Sequence, residues 1–379
     1  MSPKPEAVSP SPEERGTGGP RVLFVVLDGV SPRHVNETVM PGLTSRARAG
    51  GWCRAGIPGV MPTSTYPNHA TFVTGVVPAR HGVVANEIPT PTGTVPAWER
   101  GPSVPTLFDS MRAAGRPSAA VFGDDHLVGV TGAAGAGYLW PEGGFDAGVA
   151  TDVLGYAKDR ETTARILEAV TGGAELIVAQ LNETDTAGHL FGPDSPEALH
   201  RYHRADSHLG EVLTRLADRW EEWVVVVVSD HSQEAVTVPT PIDLRTVAGC
   251  DLRSGLVVDD GAMAVVGGPM ARDAAWTTEV PGVEGVARID DDTVLVWAED
   301  GRWFSSVEFP VRGVHGSPRT APQVAVVTGG HPATGPLAAA LGASPASSTW
   351  WAPAVAGVLG VTAPSALEPA GPGAVPARA

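Results

Sequence analysis

The stretch Met61-Pro-Thr-Ser-Thr-Tyr-Pro-Asn-His69, centred on Thr65, reads as a nucleophile loop. Pro67 is best tolerated in the first turn of a helix, so the spacing predicts a helix over Pro67–Thr74 with Thr65 just before it. Unpaired backbone N–H groups and the positive end of the dipole converge there and favour an anion. A threonine hydroxyl attacks poorly at neutral pH and needs a base, a lowered pKa or a metal. Taken alone, the stretch is better explained by a plain turn whose threonine caps the next helix.

The rest of the chain offers a source of activation. Asp28 follows the apolar run Arg21–Leu27, Asp185 and His189 follow Leu176–Leu181, and Ser229-Asp230-His231 follows the valines of Trp223–Val228. An ionised Asp and a His at the mouth of a buried strand meet a desolvation cost unless they are paired or metallated. Asp185 and His189, four apart, share a face if their segment is helical. With His315 in Gly313-Val-His-Gly316, the set comprises three Asp, three His and the Thr65 hydroxyl, enough for two metal sites. Mixed imidazole and carboxylate donors suit Zn²⁺, with Mn²⁺ or Fe as alternatives.

Such a set needs a scaffold that brings strand ends together. Arg21–Leu27, Ser118–Phe122, Leu176–Leu181 and Trp223–Val228 are short runs of the kind found in strands buried on both faces of a parallel sheet. Amphipathic segments at Val104–Ala114, Thr151–Val170 and Ser195–Arg219 alternate with them. This pattern predicts an α/β three-layer sandwich whose largely parallel central sheet is flanked by helices. Ligands in such sheets bind beyond the carboxyl ends of the strands, where the Asp and His residues fall. Between about Gln233 and Gly313, short strands (Gly255–Val258, Ala262–Val266, Gly285–Ile289 and Thr293–Trp297) predict a β-rich insertion before a strand at Gln323–Thr328 and a helix at Trp351–Leu359. The expected organisation is a tail over 1–20, one catalytic domain over 21–363 and a second tail over 364–379.

Composition narrows the partners. With 26 basic and 42 acidic residues, a formal charge of −16 argues against a nucleic-acid polymer or an anionic membrane. A small phosphorylated substrate is compatible if bound cations reverse the local field. Cys53 and Cys250 stand alone in unrelated contexts, which speaks against a disulfide framework. The polar N-terminal stretch carries no apolar core of a signal peptide, and a soluble cytoplasmic protein is the expectation. His200, His203 and His208 on one helix read as a solvated back, Gly132–Gly137 as a loop, and His331 as a structural neighbour of the site rather than a ligand.

Leu27-Asp28-Gly29, the Pro62–His69 loop, Val73-Thr-Gly75, His81-Gly82, Asp185-x-x-x-His189, Asp230-His231 and His315-Gly316 occur in an order that resembles the alkaline phosphatase superfamily, and within it the type I phosphodiesterase and nucleotide pyrophosphatase branch. The resemblance implies two zinc sites, one of Asp28, Asp230, His231 and the Thr65 oxygen, the other of Asp185, His189 and His315. It also implies that Asn86 donates to a phosphoryl oxygen and that Tyr66 stacks on a nucleobase or leaving group. The implied activity is hydrolysis of phosphodiester or pyrophosphate bonds in nucleotide-like substrates through a phosphothreonine. Phosphomonoesterase, phosphonoacetate hydrolase-like and transferase activities are the alternatives. Two departures stand out. Ser232-Gln233-Glu234 replaces the common Gly-Met after Asp-His, and Asp124 and His126 occupy positions where phosphonoacetate hydrolases carry lysines.

Overall fold

The computed structural model describes residues 19–90, 93–246, 256–343 and 347–367. Strands β1 (Arg21–Leu27), β2 (Gly51–Trp52), β3 (Ser118–Phe122), β4 (Tyr138–Trp140), β5 (Leu176–Leu181), β6 (Trp223–Val228) and a last strand, Ala325–Gly329, form one seven-stranded sheet. The last strand lies between β2 and β6 and is antiparallel to both, while β6, β1, β5, β3 and β4 run parallel in that order. β1, β3, β5 and β6 are buried along their whole lengths, which is why their sequences read as unbroken apolar runs with legible ends.

Two cores flank the sheet because side chains alternate across it. Val22, Phe24 and Val26 of β1 face helices α2 (Thr65–Thr74), α3 (Leu107–Ala113) and a C-terminal helix, Trp351–Leu359. Leu23, Val25 and Leu27 face α1 (Pro41–Ala49), α4 (Asp159–Thr171) and the long helix Pro196–Arg215. The buried Asp206 on that long helix accepts from Gly42 N and Leu43 N at 2.8 and 2.7 Å, satisfying the first turn of α1.

The insertion forms a four-stranded antiparallel sheet in the order Val257–Asp260, Met263–Gly267, Thr293–Ala298, Val283–Asp290. One face carries Val258, Met263, Val265 and Leu295 into the main core, and the other closes its own core around Val266, Val296 and Phe304. Gly255 and Cys250 fall outside the described residues.

Several boundaries depart from the sequence reading. The helix expected from Thr151 begins at Asp159, because Asp152 accepts from Leu154 N and Tyr156 N and folds that stretch into a turn. The helix expected over Val104–Ala114 starts at Leu107, where Thr106 and Asp109 form a capping box. The one expected to reach Arg219 ends at Arg215 and gives way to a 3-10 segment, Ala217–Glu222. His331 is carried away from the strand ends that bear the Asp and His residues. Its strand is antiparallel, so its backbone N–H reaches Trp223 O at the start of β6, and its ring accepts from Ala333 N. His203 lies on the exposed side of its helix, where its ring Nδ1 donates to Val39 O.

Candidate active site

Strand register assembles the site. β1 pairs with β5 so that Leu27 lies opposite Leu181, and with β6 so that Val26 lies opposite Val228. Continuing both ladders past the strand ends sets Asp28 between Asn182 and Asp230. Gly29, at φ 70°, turns the chain there, and a Cβ on it would lie 3.0 Å from Asp185 Oδ1. Its N–H donates to Asp230 Oδ1 at 3.1 Å.

Thr65 is the first residue of α2 rather than its predecessor, so its side chain stands at the helix mouth. Ser64 is extended and does not cap the helix through its hydroxyl; that hydroxyl donates to Asp260 Oδ2 at 2.6 Å. Asn68 holds the loop from behind, donating to Pro62 O at 3.0 Å and accepting from Val60 N at 3.1 Å. Thr63 ties it to the His315 segment, its hydroxyl reaching Ser317 O at 2.7 Å while Gly316 N donates to Thr63 O at 3.0 Å. The nucleophile loop and the distant His315 are therefore positioned by the same hydrogen bonds.

The sequence-selected residues converge. His231 Nε2 lies 3.2 Å from Thr65 Oγ1 and 3.5 Å from both Asp28 Oδ1 and Asp230 Oδ2. Asp185, His189 and His315 form a second group, with His189 Nε2 3.3 Å from Asp185 Oδ2. The His231 and His315 rings stack at 3.9 Å and join the two groups. Thr65, Tyr66, Asn86, Asp185, His189 and His315 line one cavity of about 150 Å³.

The donor set fits cations. Asp28 Oδ1 and Asp230 Oδ2 are buried without any hydrogen-bond partner, although buried carboxylate oxygens are rarely left so. His231 and His189 each donate Nδ1–H to a carbonyl, of Ser232 at 3.0 Å and of Gly313 at 2.8 Å. That bond turns each Nε2 lone pair inward, as in metal-ligating histidines. Burial, with Asp230 and Asp185 beside it, pushes the Asp28 carboxyl well above its usual range. Burial and two neighbouring imidazoles push His315 well below its own. Against burial, the Asp185 carboxylate pushes His189 up to about 9. Crowded buried carboxylates call for positive charge at their centre.

Other residues complete the site: Gln233, Asp124 and His126 stand out in the sequence only as departures from the family pattern, and Gln180, Tyr156, Asn182 and Asp260 give no local signal. Gln180 Nε2 donates to Asp28 Oδ2 at 2.7 Å, and Gln233 Nε2 to Asp185 Oδ1 at 2.6 Å. His69 Nδ1 donates to Thr65 O at 2.8 Å and lies 3.4 Å from Asp230 Oδ2, close enough to group with Asp28 and Asp230. Asp260 comes from the insertion, and Asp124, Tyr156 and Asn182 also line the cavity. Tyr66 is largely buried; its hydroxyl meets His126 Nδ1 at 2.9 Å, and His126 stacks on Trp98 at 3.8 Å. His126 thus holds Tyr66 in place.

The profile of the family described as type I phosphodiesterase / nucleotide pyrophosphatase matches residues 22–291. The chain is 27% identical over 242 residues to a venom phosphodiesterase of Macrovipera lebetinus, covering 58% of this chain and 26% of that one. It is 30% identical over 230 residues to an uncharacterized pyrophosphatase/phosphodiesterase of Schizosaccharomyces pombe, covering 55% and 44%. It is 24% identical over 247 residues to a bis(5'-adenosyl)-triphosphatase of Bos taurus, covering 59% and 50%. The matches thus span half or less of the length of these relatives. The fold is that of murine ectonucleotide pyrophosphatase / phosphodiesterase 5, solved as an inactive variant in complex with AMP. The TM-score is 0.66 at 19% identity, over 91% of this chain and 96% of that one.

Proposed function

The chain belongs to the type I phosphodiesterase / nucleotide pyrophosphatase family, and from that premise we propose that it hydrolyses phosphodiester or pyrophosphate bonds of nucleotide-like substrates with Thr65 as nucleophile. The observation that carries this reading is the position of Thr65 Oγ1 at the mouth of α2, 3.2 Å from His231 Nε2 and beside buried carboxylate oxygens that lack partners. Asp28, Asp230, His231 and Thr65 would hold one divalent cation, and Asp185, His189 and His315 a second, with zinc suited to both sets. Bound there, the cations would lower the pKa of the threonine hydroxyl and of water and offset charge on the phosphoryl group.

The chain's own residues then have defined work. Thr65 Oγ1 forms a bond to phosphorus as the P–O bond to the leaving group breaks, and the leaving oxygen keeps the electron pair. Water next cleaves the phosphothreonine and restores the hydroxyl. The N–H groups of Thr65 and Tyr66 in the first turn of α2 would donate to the phosphoryl oxygens, and Asn86 at the cavity rim would supply an amide donor. Tyr66, held by His126, forms a flat wall for a base.

The cavity wall favours a phosphoryl group that carries an ester substituent. Among the described residues its lining includes Asp124, Asp185 and Asp260 and no Arg or Lys, so beyond the cations themselves no guanidinium or ammonium offsets the additional charge of a monoester. The AMP bound to the murine structure supports a nucleotide-like substrate. A kcat/KM panel of bis-p-nitrophenyl phosphate, a nucleotide pyrophosphate, p-nitrophenyl phosphate and phosphonoacetate tests the reading. The first two are expected to lead; a preference for the monoester or for phosphonoacetate overturns it.

A further inference from the structure

A second cavity of about 310 Å³ adjoins the first and shares Leu154, His189 and Gly261 with it. Its character is different. Most of its wall is apolar, Leu190, Trp303, Phe309, Val311 and Val314 included, and Trp303 meets Phe309 edge to face at 4.9 Å. Seven large apolar side chains are exposed among the described residues. Five of them, Val153 (79%), Leu154 (48%), Phe191 (50%), Val307 (62%) and Phe309 (52%), lie on the three segments that frame this cavity. Apolar surface concentrated around a groove in this way marks a binding site rather than scattered exposure.

The groove starts at the reaction site itself. Arg312 N donates to His189 O at 2.8 Å and His189 Nδ1 donates to Gly313 O at 2.8 Å, so the groove-lining segment runs alongside the histidine. A phosphoryl group at Thr65 whose departing arm passes His189 leads that arm directly into the groove. A partner protein seated there would instead close the mouth of the catalytic cavity.

The geometry points to an extended apolar arm, an alkyl or acyl chain on the leaving group, as the occupant of this groove. The inference rests on the phosphodiesterase reading above and narrows its substrate class: a polar nucleotide-like half against Tyr66 and an apolar half between Leu154 and Phe309.

The test uses the metal-loaded full chain and a series of adenosine 5′-phosphate n-alkyl esters (ethyl, butyl, octyl), whose leaving alcohols differ little in acidity. The expected result is a rise in kcat/KM of roughly two- to four-fold per methylene until the groove is filled. The octyl-to-ethyl ratio should collapse toward one in Phe309→Ser and in Leu154→Ser, both at exposed positions that a polar residue tolerates. A flat series, with the ethyl ester turned over, overturns the groove assignment and leaves the phosphodiesterase reading standing. If no ester is turned over, the panel above decides the phosphodiesterase reading, and calorimetry with decyl phosphate against ethyl phosphate decides the groove. Tighter binding of the decyl compound that Phe309→Ser abolishes supports it, and equal binding of the two overturns it.

Discussion

Gln233 locks Asp185 in place: its amide Nε2 donates to Asp185 Oδ1 at 2.6 Å and to Asp185 O at 3.1 Å. Gln233 is thereby built into the site. Gly188 belongs to the same arrangement, because a Cβ there would fall on the Gln233 amide. A group that orients a metal ligand typically contributes about 10–100-fold to metal affinity. Gln233→Ala is therefore expected to weaken zinc binding at the proposed Asp185–His189–His315 site by that order, with activity restored by excess zinc. Zinc titration by calorimetry checks it, and unchanged affinity would refute the orienting role given to Gln233.

Ser64 and Asp260 make the corresponding link on the nucleophile side. Burial raises the Asp260 carboxyl above its ordinary range, and the Ser64 hydroxyl opposes that rise. Ser64→Ala strands the carboxylate oxygen at a cost of about 1–3 kcal/mol. Thermal melting should show a lower Tm, and kinetics should show kcat reduced more than KM is raised. An unchanged Tm would mean that the bond contributes nothing to the loop.

Much of this site is legible in the sequence, for a physical reason. Strands buried on both faces give unbroken apolar runs, so Leu27, Leu181 and Val228 mark strand ends, and polar residues just beyond them stand out. Asp28, Asp230 and His231 are conspicuous for that reason alone. Gln180 lies inside such a run but reads as an interruption until its bond to Asp28 is seen. Asp260 ends a short strand of the insertion and reaches the cavity only through tertiary packing, whereas Asp124, two residues past the end of β3, stands at a strand mouth as Asp28 does. At Thr151–Lys158 helical periodicity misleads, because the Asp152 side chain satisfies backbone N–H groups locally.

Asp124 provides a pH test. Burial pushes its carboxyl up to about 7, although the His126 N–H bonds it at 2.9 Å. Its folded pKa lies above its unfolded one, so its contribution to stability is complete below about pH 4 and is lost as pH rises through about 7. Asp124→Asn keeps an acceptor for that N–H and removes the titration. In metal-free protein, the variant's Tm should gain on the parent's between pH 5 and 8. A constant difference across that range would show that Asp124 is already ionised when buried.

The central claim is that Thr65 Oγ1 attacks phosphorus, and the turnover of Thr65→Ala tests it most directly. Thr65 is only partly buried at the first position of α2, and among the described residues the side-chain hydrogen-bond partner of its hydroxyl is His231. The substitution is therefore expected to leave Tm and zinc content near those of the parent. With bis-p-nitrophenyl phosphate, kcat/KM should fall by about a thousandfold or more, as when a covalent nucleophile is removed. Turnover within tenfold of the parent, at equal zinc content, would contradict the assignment of Thr65 as nucleophile.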